Sequence, residues 1–427
     1  MRRLNNSKIC PILSAKIMSQ SKEELPVIVQ LKGKDDGLKN GIIDLSTKVK
    51  GPLPIINGVA CNLSTEIIYR LASSPEIEYI SFDSKVFTQL DIAIPTVEGS
   101  FSYERAYKGK GVTVAVIDTG VAPHEDLVIP NNRIIGFKDL VNNRSAPYDD
   151  NGHGTHVAGI IAGNGYSSRG KYTGIAPESN ILAIKALDSE GSGNSSNIIA
   201  AISYAIETKE QYNTKVLNLS FGSPANNNCS KDPLCKAVAE AEKAGLIVVV
   251  AAGNSGPNEK TILSPGISPN VITVGAVDDK RTIDPSDDII ASFSSRGPTN
   301  DGLAKPDIVA PGVSINSLSN SRLDGYKALS GTSMSTPLVS GAIALLLNIY
   351  GDLKPYEVKE KLLKSCIDLK DSKEKQGNGM LNLKLLLNDE KDNLSNSGHV
   401  KPPNSEEELF EIIIMILIIL FLLDSKI

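Results

Sequence analysis

The sequence predicts an α/β fold, a mostly parallel sheet covered on both faces by helices, preceded by a small α+β unit. Two patterns point to it. Between about residues 95 and 388, short continuous apolar runs alternate with segments of helical periodicity, as strands buried on both faces require. Before residue 95 the strand-like runs enclose a single amphipathic helix. The 427 residues leave room for two or three domains, and composition marks three segments: 1–94, 95–388, and 389–427, a polar linker with a short apolar tail.

In the first unit, Val27-Ile-Val-Gln-Leu31, Leu53-Pro-Ile-Ile-Asn-Gly-Val-Ala60 and Tyr79-Ile-Ser-Phe82 suit strands. Thr65-Glu-Ile-Ile-Tyr-Arg-Leu-Ala72 sets Ile67, Ile68 and Leu71 on one face, with Pro75 just beyond, and predicts a helix. In the second unit, 112–117, 181–186, 216–220, 246–251 and 271–277 are the predicted strands. Ile198, Ile202 and Ile206 stand four apart, a stripe that lays one helix against the sheet with Ser196 or Asn197 as N-cap. From Met334 to Leu347 a helix apolar on most sides is predicted to be buried, with Pro337 in its first turn, where a missing amide is tolerated.

After Asn388 the chain turns polar and reads as a linker. Ile412-Ile-Ile-Met-Ile-Leu-Ile-Ile-Leu-Phe-Leu-Leu423 is then uninterruptedly apolar but short of the roughly 20 residues that a membrane-spanning helix needs. A packed or partner-bound helix, weak membrane contact through 412–423, and an aggregation-prone tail all fit it.

A formal charge of -5 and a pI near 5.6 argue against a nucleic-acid partner, because the field of the chain would repel a polyanion. Peptide or protein is the expected partner. Cys10, Cys61, Cys229, Cys235 and Cys366 are too few and too scattered for a disulfide framework or a zinc site, so reduced thiols are expected, although Cys229 and Cys235 stand close enough to bridge if oxidised. Lys16 cuts off Ile9-Cys-Pro-Ile-Leu-Ser-Ala15 before an apolar signal core develops. A cytoplasmic location is therefore expected, with membrane association through the tail as the alternative.

Three segments carry chemistry. They are Val114-Ala-Val-Ile-Asp118-Thr-Gly120, Asn151-Gly-His153-Gly-Thr-His156 and Ser330-Gly-Thr-Ser333-Met334, which set a carboxylate, an imidazole and a hydroxyl beside glycine in one of the known chain orders of the Asp-His-Ser triad. Asp118 follows a buried run and should sit at the carboxyl end of a strand, where open α/β sheets place their sites. Ser333 should open a helix, whose free amides favour developing negative charge. His153 and His156 could suggest a metal pair, but no His-Glu-x-x-His pattern accompanies them, and spacing alone does not choose between the imidazoles. Thr332 and Ser335 read as caps or packing. Asp149 and Asp150 read either as a solvated acidic loop or as a lure for a basic substrate residue.

These segments, with Ala251-Ala-Gly-Asn254-Ser-Gly256, Phe293-Ser-Ser-Arg-Gly-Pro298 and Lys305-Pro-Asp-Ile-Val-Ala-Pro-Gly312, resemble the signature blocks of the subtilisin-like serine peptidases from about residue 95 to 387. The resemblance is strongest to the cytoplasmic members from Gram-positive bacteria. It implies a three-layer subtilisin-like fold and a serine endopeptidase that needs no cofactor. It implies Asp118, His153 and Ser333 as the triad, His156 as a packed helix residue, and the Asn254 amide as oxyanion donor. Ser220, Phe221 and Gly222 match the edge that pairs with substrate backbone, and Leu263 would line the first specificity pocket with a preference for apolar or medium-sized side chains.

The first unit resembles the family's inhibitory propeptide, which implies an N-terminal domain acting as inhibitor of its own peptidase and self-cleavage within 87–95. Asp126 matches a calcium ligand of secreted relatives, but Arg169 and Lys171 replace ligands of the loop and would repel a cation, so no metal is expected. The alternative on the same fold is a catalytically silent peptide-binding protein. An intact triad with Asn254 argues against it.

Overall fold

Alternate residues of Leu25–Leu31 (β1) are buried, and those between them are half-exposed. Period-two alternation of this kind makes a strand with one face on a core. In the computed structural model, which describes residues 8, 9, 13, 14, 17, 24–53, 57–82, 93–225 and 228–388, the chain divides into two units, Met1–Phe87 and Thr88–Ile427. Calls on Cys10, on residues 83–92 and on the tail beyond 388 lie outside the described residues.

The first unit is an antiparallel sheet in which β1 lies between Gly58–Leu63 (β3) and Ile77–Phe82 (β4), and Lys48–Leu53 (β2) pairs with β3. The single strand expected over 53–60 is a correction, because β2 ends at Leu53 and β3 starts at Gly58, directly after Asn57. Its backbone is left-handed (φ 48°), and its Nδ2 donates to Leu31 O and Gly33 O at 2.9 and 2.7 Å. Thr65–Ala72 forms the predicted helix, capped by Ser64, and packs Ile68 and Leu71 into the core. A second helix, Asp36–Asp44, was not predicted, since Gly37 and Gly41 dilute its pattern, but Asp35 caps it through Leu38 N at 2.9 Å and Ile42 anchors it.

The second unit is built on a sheet of order β11-β10-β9-β8-β5-β7-β6. Its strands are Thr113–Asp118 (β5), Ile134–Asp139 (β6), Asn180–Lys185 (β7), Thr214–Leu219 (β8), Ile247–Ala251 (β9), Ile272–Asp278 (β10) and Ile289–Ile290 (β11). Ile308–Pro311 (β12) also pairs with β10, and every pairing is parallel except β10 with β11. The five predicted strands all occur, shifted by one or two residues; β6, an edge strand with a mixed burial pattern, was not legible.

Helices cover both faces. His153–Ala162 and Thr332–Tyr350 pack with Val114 and Val116 on one face, while Ser195–Glu207 and Pro233–Lys243 pack with Ala115 and Ile117 on the other. These are the three layers expected. The N-cap of Ser195–Glu207 is Asn194, not residue 196 or 197. Pro337 lies in the second turn of Thr332–Tyr350, not the first, where it removes the amide that would bond the Ser333 carbonyl. That helix is buried from Met334 to Leu347, so its apolar surface belongs to the core.

Chain order places β6 at the outer edge on one side, inserts β7 between it and β5, and then returns to lay β8 against the other edge of β5. The carboxyl ends of β5 and β8 therefore flank the topological switch point, where open α/β sheets leave a crevice.

Candidate active site

Asp118 is the last residue of β5 and is wholly buried. Its Oδ1 accepts from Thr119 N at 2.8 Å and lies 2.7 Å from His153 Nδ1. His153 opens the helix His153–Ala162 with its side chain 26% exposed. Burial pushes this imidazole's pKa down, but the Asp118 carboxylate, through charge and hydrogen bond, and Asp149, through charge, more than offset it against Lys327. The net direction is up.

His156 has a different environment. Its Nε2 carries the hydrogen, because it faces the carbonyls of Ile315 and Lys327 at 3.0 and 3.1 Å, and burial pushes its pKa down to about 3. The structure thus separates the two imidazoles that spacing could not.

Ser333 is the second residue of Thr332–Tyr350, so its amide falls in the first turn and lacks an intrahelical acceptor. Its hydroxyl donates to Ser220 O at 2.8 Å. His153 and Ser333 line one cleft of about 470 Å³, together with Asn254, Ser220, Phe221, Gly222 and Leu263. Asp118 lies behind them and reaches the cleft through His153.

Asn254 leaves β9 by way of Gly253, whose φ of 111° suits glycine. Its Oδ1 accepts from Thr332 N and Thr332 Oγ1 at 2.9 and 3.0 Å. An N–H can only donate, so the amide oxygen is fixed toward Thr332 and Nδ2 is left for the cleft. Thr332 Oγ1 in turn accepts from Gly253 N at 3.2 Å. Thr332, expected as a cap or packing residue, thus orients Asn254.

Leu263 fills the space between two glycines. A Cβ on Gly253 would come within 2.5 Å of Leu263 Cγ, and one on Gly222 within 2.7 Å of Leu263 Cβ. Neither glycine can carry a side chain unless Leu263 shifts. Leu187 and Glu190 line the cleft too, loop residues outside any motif, and so does Asn151, which stands in the His153 segment but was given no role.

Asp149 corrects both readings of this pair, whereas Asp150 is exposed, as a loop acid is, and departs only from the reading as a lure in the cleft. Asp149 is buried and its carboxylate accepts from the segments around it, whereas Asp150, about one-third exposed, pairs with the buried Lys185 at 2.6 Å. Neither is among the residues that line the cleft. Asp126 is likewise occupied, since Ser167 N and Tyr326 Oη donate to its two oxygens, each at 2.8 Å. A cation there would have to displace both.

The Subtilase family profile of peptidase S8 matches residues 109–382. Serine protease AprX of Bacillus subtilis (strain 168) is 45% identical over 345 residues, covering 75% of this chain and 76% of that protein. Subtilisin E of the same strain is 33% identical over 385 residues, covering 87% and 92%. Among solved structures, Sphericase matches with a TM-score of 0.55 at 33% identity, covering 64% of this chain and 92% of that one. A cold adapted subtilisin-like serine proteinase matches with a TM-score of 0.52 at 32% identity, covering 64% and 89%.

The two imidazoles should part company in an NMR titration: His153 above the ordinary value of 6.5 and lowered in Asp118→Asn, His156 neutral down to about pH 3. The sign for stability follows. His153 stabilises the fold below its unfolded pKa and loses that contribution as pH rises through its raised folded value, whereas His156 weakens the fold as pH falls below its unfolded value. Coincident midpoints for the two rings would contradict this.

Proposed function

The chain belongs to the subtilase family and is a serine endopeptidase acting on peptide or protein substrates; from that premise we propose that Asp118, His153 and Ser333 are its catalytic triad. The observation that carries the assignment is the 2.7 Å bond from His153 to buried Asp118, at the rim of a cleft that Ser333 also lines. His153 accepts the Ser333 proton as the hydroxyl oxygen attacks the peptide carbonyl, and Asp118 fixes the tautomer and stabilises the imidazolium. The same proton passes to the leaving amine. Water, activated by His153, then hydrolyses the acyl-enzyme.

The oxyanion is held by Asn254 Nδ2 and the Ser333 amide. Thr332 supports this reading, because it leaves the amide of Asn254 no freedom to turn its oxygen toward the cleft. Before attack, Ser333 must exchange its bond to Ser220 O for one to His153, a rotation between staggered rotamers in which the bond gained offsets the bond lost. A peptide N–H arriving on the 220–222 edge competes for that carbonyl and releases the hydroxyl.

Leu263 between Gly222 and Gly253 makes a shallow first pocket, suited to small or medium apolar side chains. The first unit, an α+β sheet ahead of the peptidase unit, acts as propeptide and inhibitor, and cleavage falls within 87–95.

A fluorophosphonate should label the wild type and spare Ser333→Ala, and intact mass should reveal a new N-terminus within 87–95 in the wild type alone. Unlabelled and unprocessed wild type would favour a peptide-binding protein without turnover. Asn254→Ala should lower kcat about 100- to 1,000-fold with KM little changed, a magnitude carried over from subtilisin itself; an equal loss in KM would move Asn254 from transition state to ground state. Leu263→Gly should raise kcat/KM for Phe or Tyr before the scissile bond relative to Ala. An unchanged ratio would remove Leu263 from the pocket.

A further inference from the structure

We infer that Asp149 is a positioning residue for the catalytic pair, its buried carboxylate clamping the start of the His153 helix to the loop that follows Asp118. The inference rests on the triad assignment proposed above. Asp149 stands four residues before His153, and neither its burial nor its bonds are explained by a role in the cleft.

A helix start leaves amides without acceptors, and the residue at the N-cap normally supplies one. Here the N-cap is Gly152, left-handed at φ 98°, with no side chain to offer. A side chain there would be strained at that φ and would have to displace Asn320, whose Oδ1 lies 2.2 Å from the Cβ position. Three other residues take over the capping. His153 N donates to Asn151 Oδ1 at 3.1 Å, Gly154 N to Thr119 Oγ1 at 3.0 Å, and Thr155 N to Asp149 Oδ2 at 2.9 Å. The first turn of this helix is therefore capped from the β5 loop as well as from its own lead-in.

Asp149 ties these caps together. Its Oδ1 accepts from Gly152 N, Thr119 Oγ1 and Asn151 N at 2.8, 2.9 and 3.1 Å, and its Oδ2 also accepts from Thr155 Oγ1 at 2.6 Å. Thr119 thus links Asp149 to Gly154, and Thr155 Oγ1 accepts from Ala122 N at 2.9 Å. The loop 119–122 is held at both ends to the residues that aim His153. The approach is close enough that a Cβ on Gly154 would lie 2.1 Å from Gly120 O and 3.0 Å from Asp118 Cβ.

Five donors converge on two oxygens, an arrangement that suits only a carboxylate. Asparagine would turn an amino group toward N–H and O–H donors, leaving some unpaired. The carboxylate also places negative charge at a helix N-terminus beside His153. The charged groups acting on that imidazole are Asp118 and Asp149, which favour its protonated form, and Lys327, which opposes it; His156 is neutral where His153 titrates and places no charge on it. Asp149 thus bears on His153 in two ways, through aim and through charge, without reaching the substrate.

The test compares Asp149→Asn with Thr119→Val in the full-length protein on a peptide substrate. Asp149→Asn should lower kcat about 10- to 100-fold, as a displacement of the base by up to an ångström does, with KM within about twofold. The acid limb of its kcat/KM profile should move to lower pH. Thr119→Val keeps the charge and removes the bridge, so kcat should fall while the acid limb stays in place, and Thr119→Ser should restore kcat.

A folded Asp149→Asn with wild-type kcat or an unmoved acid limb would overturn the inference. If Asp149→Asn fails to fold, Thr119→Val decides, and wild-type kcat there would overturn it equally. Failure of the triad assignment looks different: the wild type itself would then neither hydrolyse peptides nor bind fluorophosphonate at Ser333.

Discussion

The contact on which the rest depends is the hydrogen bond between Asp118 and His153. A carboxylate taken wholly out of water is costly unless protein donors replace its hydration, and here the replacement is sparse, Thr119 N and His153 Nδ1 sharing one oxygen. Sparse solvation is what makes the contact consequential. With few other donors, the carboxylate directs its charge at the imidazole, which rises in basicity despite its own burial. The fold supplies the burial, since β5 runs through the middle of a sheet covered on both faces and ends at the switch point.

Placement of the third group follows from a different element and different physics. Ser333 opens a helix whose body is buried from Met334 to Leu347, so the amides of its first turn are held by core packing and need no reorganisation during reaction. Lys185, the residue of β7 in register with Asp118, carries the same economy to the loop side: its buried ammonium donates to Thr119 O, Leu187 O and Asp150. A cation spent on backbone carbonyls fixes the loop that bears Thr119. Rigid surroundings, more than strong single bonds, separate this site from three reactive residues on a surface.

How much of this was legible depends on range. Asp118, His153, Ser333 and Asn254 stand in short glycine-bearing segments, because each needs a tight backbone approach that leaves a local trace; the parallel strands, buried on both faces, leave continuous apolar runs. Features set by distant contacts leave none. Asp149 reads as a loop acid because its donors lie 30 residues upstream and up to six downstream. Thr332 reads as a cap because its partner, Asn254, is 78 residues away. The edge strand β6 and the helix Asp36–Asp44 were missed for a local reason, mixed burial in one and glycine in the other.

If Ser333 is the nucleophile, as proposed, Ser220 would couple it to substrate through a single oxygen. It follows β8 directly, at the other side of the switch point from Asp118, and its carbonyl holds the Ser333 hydroxyl. Three residues on, Ser223 and Ser264 exchange backbone bonds, so the 220–223 segment has one edge tied to the Leu263 loop and presents the other to the cleft. An extended peptide pairing there would satisfy the Ser220 carbonyl from outside, and the hydroxyl would lose its acceptor at the moment a scissile bond arrives. On the proposed triad, His153 is the acceptor that would take up the freed hydroxyl. On that proposal the resting bond would oppose proton loss only while the cleft is empty, and the binding of backbone, independent of side chain, would remove that opposition.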